Sequence, residues 1–298
     1  MPLEPIVDLM RRAREGGYGV GYFESWSLDS LAGVIDAAEE SGSPVIIGFN
    51  GEWLSRAGRG AEERLDWYAA LGRAAAESAS VGCGFIFNEC SRDDWVRDAI
   101  GAGFNLVMPV ARAEESVADY TRRVARLTEE AHAHGVAIEA ELGILPSGVS
   151  GTADDTGGVT DPDAATEFVA ATGVDLLAVS AGNVHVLVRG QRELDLDHLA
   201  ALREAVSASV ELVLHGGTGI GETSLRAAVS LGVSKVNFGT GLKQRYLAAL
   251  KQGLQSDAPD PHRLLGYGGE EDLLLACRRA VRDAVLEKMD LLGSVGKA

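Results

Sequence analysis

Short apolar, β-rich runs alternate with longer stretches of helical spacing along the whole chain, and this alternation limits the fold more than any other feature of the sequence. The runs cover residues 19–23, 44–49, 82–87, 106–110, 137–142, 176–180, 211–214 and 235–238. Between them lie helical patterns such as "SLAGVIDAAEESG", "YTRRVARLTEEAHAHG" and "DPDAATEFVAATG", several of which end in the glycine that helix C-termini favour. Eight strand–helix repeats predict a (β/α)₈ TIM barrel, with residues 1–298 as a single domain. An open, doubly wound sheet shares the alternation and is the rival architecture, because the pattern alone does not report closure. No low-complexity linker divides the chain.

The 298 residues hold no apolar tract long enough to cross a membrane. The start, "MPLEPIVDLMRRAREGG", is amphipathic and carries Glu4 and Asp8, unlike a secretory signal. Cys83, Cys90 and Cys277 are odd in number and lack CxxC spacing, which points to a reducing cytoplasm and away from disulfides or a zinc knuckle. A net charge of -17 argues against nucleic acid and acidic membranes as partners. An anionic small substrate remains compatible, provided that backbone N–H groups, a few Lys or Arg, or a metal offset the field locally.

Polar residues collect where the strands end: Glu24, Asn50, Asn88 with Glu89, Glu141, His185, His215, Asn237 and Thr240. In a barrel these ends share one rim, where such enzymes keep their active sites. Any one of them alone reads as a helix cap, and Ser91 is the expected cap of the helix after the third strand. Their convergence reads as a site. "HGGTGIGETSLRAAV" after the seventh strand and "KVNFGTGLKQRY" after the eighth supply consecutive glycine-rich turns. Gly216, Gly217, Gly219, Gly239 and Gly241 there let backbone N–H groups approach a phosphate, Asn237 and Thr240 offer side-chain donors, and a helix starting near Glu222 adds its positive end. The Gly-Lys-Ser/Thr ending of a nucleotide loop is missing. His185 and His215 stand at strand ends and suit Zn²⁺ or a similar ion, with Glu89 as third ligand and Glu141 as the next choice.

These motifs resemble class II, metal-dependent fructose-bisphosphate and tagatose-bisphosphate aldolases. The resemblance spans nearly the whole chain through "REGGYGVGYF", "GVAIEAELG", "TDPDAATEFVAATGVDLLAVSAGNVH", "LVLHGGTGIGE", "GVSKVNFGT" and "EKMDLLGSVGKA". It implies a small phosphorylated substrate, a homodimer or larger homo-oligomer, one divalent ion (Zn²⁺ in the family) and a monovalent cation besides. It implies His185 and His215 as metal ligands, with Glu141 holding the ion in an alternative position. Residues 216–218 and 237–240, including Phe238, would grip substrate and phosphate together with Asn50 and Gly182, and Arg278 would reach a distal phosphate.

The sequence departs from the family pattern in one cluster. Where the family has an Asp followed by a ligand His, this chain has Asn88 and Glu89. Glu24 replaces an Asn, Asn50 a Ser, Gly239 an Asp, and Val186 a Gly. The loop after the fifth strand carries Asp154 and Asp155 as its only acids. Asn88 cannot take a proton at ordinary pH, so the family's base is missing from its place. Glu89 can still bind a metal; its charge weakens the ion as a Lewis acid and favours a harder ion such as Mn²⁺ or Co²⁺. The expected base is therefore Glu24, followed by Asp154 or Asp155. The leading expectation is a divergent aldolase acting on a phosphorylated ketose or a dihydroxyacetone-phosphate-like donor. Another metal-assisted enediolate reaction, or a silent phospho-ligand binder, are the alternatives.

Overall fold

A computed structural model describes residues 3–143, 147–148, 158–184, 186–187, 189–255 and 260–298, the side chains of 147, 148 and 186 excepted. Its eight main strands are β1 (Val20–Glu24), β2 (Val45–Asn50), β3 (Cys83–Cys90), β4 (Leu106–Pro109), β5 (Ala137–Glu141), β6 (Leu176–Ala178), β7 (Glu211–Leu214) and β8 (Val233–Phe238). All pair in parallel, and β1 is hydrogen-bonded to both β2 and β8. That last pairing closes the barrel and rejects the open sheet.

Two apolar layers follow from the period-2 alternation of side chains in each strand. Val20, Tyr22, Ile46, Ile86, Leu106, Leu176 and Val213 point inward. Phe23, Ile47, Phe85, Phe87 and Leu212 point outward and pack beneath the helices. The N-terminal helix Ile6–Gly16 puts Ile6, Leu9, Met10 and Ala13 into the inner layer, so it stoppers the end opposite the active rim. Arg14 on that helix reaches Glu211 at 3.1 Å.

Helix ends follow the local chemistry. Ser27 caps the helix Leu28–Ser41 through a capping box, and Gly42 ends it in the left-handed conformation. The expected cap at Ser91 is corrected. β3 runs on to Cys90, the helix begins at Asp93, and Arg92 precedes it without a side-chain cap. No described helix is long and apolar enough to cross a membrane.

Candidate active site

At the C-terminal rim of the barrel lies a cavity of about 630 Å³. Glu24, Asn50, Asn88, Glu89, His215, Gly216, Thr218, Asn237, Phe238, Gly239 and Thr240 line it, which gathers most of the residues expected from the sequence. Strand alternation alone would send Asn88 inward and Glu89 outward. Both face the cavity because β3 is irregular between Phe87 and Cys90, and Glu89 takes a left-handed φ of 53°. A bulge of this kind re-aims a side chain, at a backbone cost of roughly 1–3 kcal/mol for a non-glycine residue. Asn50 Nδ2 donates to Glu89 Oε2 at 2.8 Å and fixes the carboxylate.

His215 is buried to 1% exposure at the end of β7. Its Nε2 lies 2.9 Å from Glu139 Oε1, while its Nδ1 lies 3.0 Å from Glu141 Oε2 and 3.5 Å from Glu89 Oε1. Burial opposes a charge on the ring, but Glu139, Glu141 and Glu89 outweigh it and raise the imidazole to about 10. The Glu89 and Glu141 carboxylates that face Nδ1 are oxygen donors of the kind that divalent cations take. The inner carboxylate on the far ring nitrogen is the support that a ligating histidine commonly has. The donor chemistry thus fits a metal. Among the described residues no three His, Cys, Asp or Glu side chains form a ready-made cage. His185 lies outside the described residues, as do Asp154 and Asp155.

Beneath the rim sits a charged pair that the strand pattern did not single out. Glu139 Oε2 and Lys235 Nζ are 2.8 Å apart, and both side chains are fully buried. Burial opposes the charge on Glu139, yet Lys235 and His215 together hold its carboxyl below the usual range. Burial also lowers the Lys235 ammonium against the pull of Glu139. Lys235 Nζ further donates to Asn237 Oδ1 at 2.6 Å. The available signal was a charged residue at inward parity in "AIEAE" and "VSKVN", strands that are otherwise apolar at that level.

Glu24 projects from the end of β1, and its Oε1 accepts a hydrogen bond from Lys243 Nζ at 2.5 Å. Lys243 stands on the helix Thr240–Gly253, and its ammonium lies 5.6 Å and 5.7 Å from the rings of Trp26 and Trp53. A Cβ placed on Gly239 would come within 2.3 Å of Glu24 Oε2. The glycine at 239 thus leaves the space that the Glu24 carboxylate occupies. Gly239→Ala should therefore push the carboxylate off Lys243. The expected result is a loss of turnover on the order of 10²-fold from misplacement, with metal content unchanged. Full turnover in that variant would show that the position of Glu24 is immaterial.

The two glycine-rich turns meet through one hydrogen bond. Gly241 N–H donates to Thr218 Oγ1 at 3.1 Å, joining the loop after β7 to the helix after β8. Gly216 has a left-handed φ of 69°. Gly217 packs against Phe238 and Val236, where a Cβ would clash at 2.7 Å, so it is a packing glycine and does not line the cavity. Gly182 lies beside the backbone of Glu193 and Asp195, also away from the cavity lining. Arg278 is committed to Asp36 through two 2.5 Å contacts between the helices Leu273–Leu291 and Leu28–Ser41, and it too is outside the lining.

Tyr22 is a lining residue that the sequence reading missed, as are Lys243, Trp53 and Arg56. Its hydroxyl is buried and makes no hydrogen bond within the described structure, and the same holds for Asn88 Oδ1 and Asn237 Nδ2. Each such atom costs about 1–3 kcal/mol. Burial, followed by the charges of Glu24, Glu89 and Glu139, pushes the Tyr22 phenol well above its ordinary value.

The profile of the class-II fructose-bisphosphate aldolase family matches residues 4–297. The chain belongs to that family. It is a divergent member, an aldolase-type carbon–carbon lyase. The fructose-bisphosphate aldolase of Geobacillus stearothermophilus is 32% identical, covering 100% of this chain and 99% of that one. YdjI of Escherichia coli K12 is 34% identical over 94% of both chains. The crystal structure of the YdjI aldolase superimposes with a TM-score of 0.82 at 32% identity over 99% of each chain. The Asn88–Glu89 pair and the Glu24–Gly239 pairing thus stand on the barrel of this family.

Proposed function

We propose that this aldolase cleaves, or in reverse forms, a phosphorylated ketose whose donor half is dihydroxyacetone phosphate or a close analogue. One observation carries the reading. A carboxylate on β1, the donor cluster around His215 and both glycine-rich turns open into the same cavity. The fructose-bisphosphate aldolases among the relatives indicate the substrates to try first.

Glu89, His185 and His215 would hold one divalent ion, with Glu141 as its alternative position. Zn²⁺ is the family's metal, and the carboxylates also suit Mn²⁺ or Co²⁺. A bound ion supplies polarisation of the substrate carbonyl. The protein's own groups do the rest. Glu24 accepts the proton of the hydroxyl beside the bond that breaks, with Asp154 and Asp155 as the second choice. Asn88 orients the substrate by hydrogen bonding and takes no proton from it. Thr218, Thr240 and the backbone of Gly216 receive the phosphate, near the first turn of the helix Thr240–Gly253. In the cell the enzyme would work in the cytoplasm as a homodimer or larger assembly.

Cleavage of a panel of ketose 1-phosphates and ketose bisphosphates tests the reading, run beside a Glu24→Gln variant. The variant should lose about 10²–10⁴ in rate, the usual contribution of a general base, and keep its metal. Wild-type turnover of unphosphorylated ketoses alone would refute the phosphate assignment. An unimpaired Glu24→Gln would remove Glu24 from the proton's path.

A further inference from the structure

Three polar atoms without hydrogen-bond partners among the described residues belong to residues lining one cavity: the Tyr22 hydroxyl, Asn88 Oδ1 and Asn237 Nδ2. Their chemistry is complementary. The Asn237 amide is orientated by Lys235, whose ammonium can only donate and therefore takes Oδ1. Nδ2 and its protons are left for another acceptor. Tyr22 and Asn237 are direct partners in the β1–β8 register, so phenol and amide stand on adjacent strands at the same level of the barrel. Lys235 Nζ lies 5.2 Å from the centre of the Tyr22 ring and adds positive charge below both. Tyr22 is 2% exposed, so solvent has little access to its hydroxyl.

We propose that Tyr22 is a further catalytic residue, whose hydroxyl joins Asn237 Nδ2 in donating hydrogen bonds to the substrate's carbonyl oxygen as charge builds there. This assignment rests on the ketose-phosphate reading above. In the cleavage direction the hydroxyl proton passes to Glu24 and the O–H electron pair becomes the new C=O. The pair of the broken carbon–carbon bond moves into the enolate, and its oxygen receives the two donors. Tyr22 keeps its proton throughout. Donors fixed in a water-poor site stabilise such charge without reorganising during the reaction.

Tyr22→Phe tests the assignment, because it keeps the ring and its contact with Lys235 and removes one oxygen. The expected result is a fall in kcat of about 10²–10³, the effect of deleting one such donor, with KM changed far less. Metal content should match the wild type. The melting temperature should hold or rise, since the lost hydroxyl satisfied nothing in the free protein. A kcat within about threefold of wild type overturns the assignment. So does a melting temperature lowered by more than roughly 5 °C, which would mark Tyr22 as a structural residue. A wild-type protein that cleaves no ketose phosphate, and gains no melting temperature from dihydroxyacetone phosphate, refutes the underlying reading itself.

Discussion

Replacing His215 with alanine should strip the rim of its divalent ion and lower cleavage by roughly 10²–10⁴, the equivalent of several kcal/mol of charge stabilisation. The barrel should still fold. The ring sits between the rim carboxylates Glu89 and Glu141 on one side and Glu139 on the other, so its removal takes the donor and leaves its Glu139 support with nothing to orient. Elemental analysis of protein grown with added metals gives the readout. If His215→Ala retains a full equivalent of ion and its activity, the donor cluster has been misassigned.

Lys235→Met should be the most destabilising of the single changes considered. It removes a fully buried ammonium from a carboxylate that is itself fully buried, and leaves Glu139 with His215 as its remaining ionic contact. Breaking a buried pair on one side costs about 3–5 kcal/mol, or roughly 10 °C in melting temperature for a chain of this size. Replacing both partners, Lys235→Met with Glu139→Leu, should recover part of that loss, because neither member of the pair is stranded and only the His215 Nε2–H is left without its acceptor. The double variant should nonetheless remain poorly active, since His215 loses its inner carboxylate and Asn237 the donor that orientates it. Melting temperature and turnover would then part company. If both recover in the double variant, the pair has no bearing on the site.

The barrel could be read from the sequence because inward and outward parity repeats in every strand, and Phe23, Ile47 and Phe85 leave little choice of face. The rim residues could be read because strand ends converge by geometry. Other features depend on contacts between distant segments. Glu139 and Lys235 are 96 positions apart, and nothing local announces that each neutralises the other. Glu24 was legible as an acid in an unusual place, but its Lys243 partner and the space beneath it at Gly239 emerge only when β1 lies beside β8. Tyr22 looked like one more apolar strand residue, since its ring does pack in the inner layer. Arg278 was expected at a distal phosphate through the family resemblance, whereas within the chain its guanidinium is engaged by Asp36.

The left-handed backbone at Glu89 separates an address from its occupant. The path of the chain, more than the chemistry of the side chain, aims residue 89 at the donor cluster. Histidine, aspartate or asparagine placed there would face the same point, and asparagine tolerates the backbone most easily. Under the ligand set proposed above, a lineage carrying this bulge would change its preferred ion by substituting one codon, with the pairing of β3 to its neighbours left as it was. The same position would then offer a laboratory a dial for metal choice that leaves the barrel's fold alone.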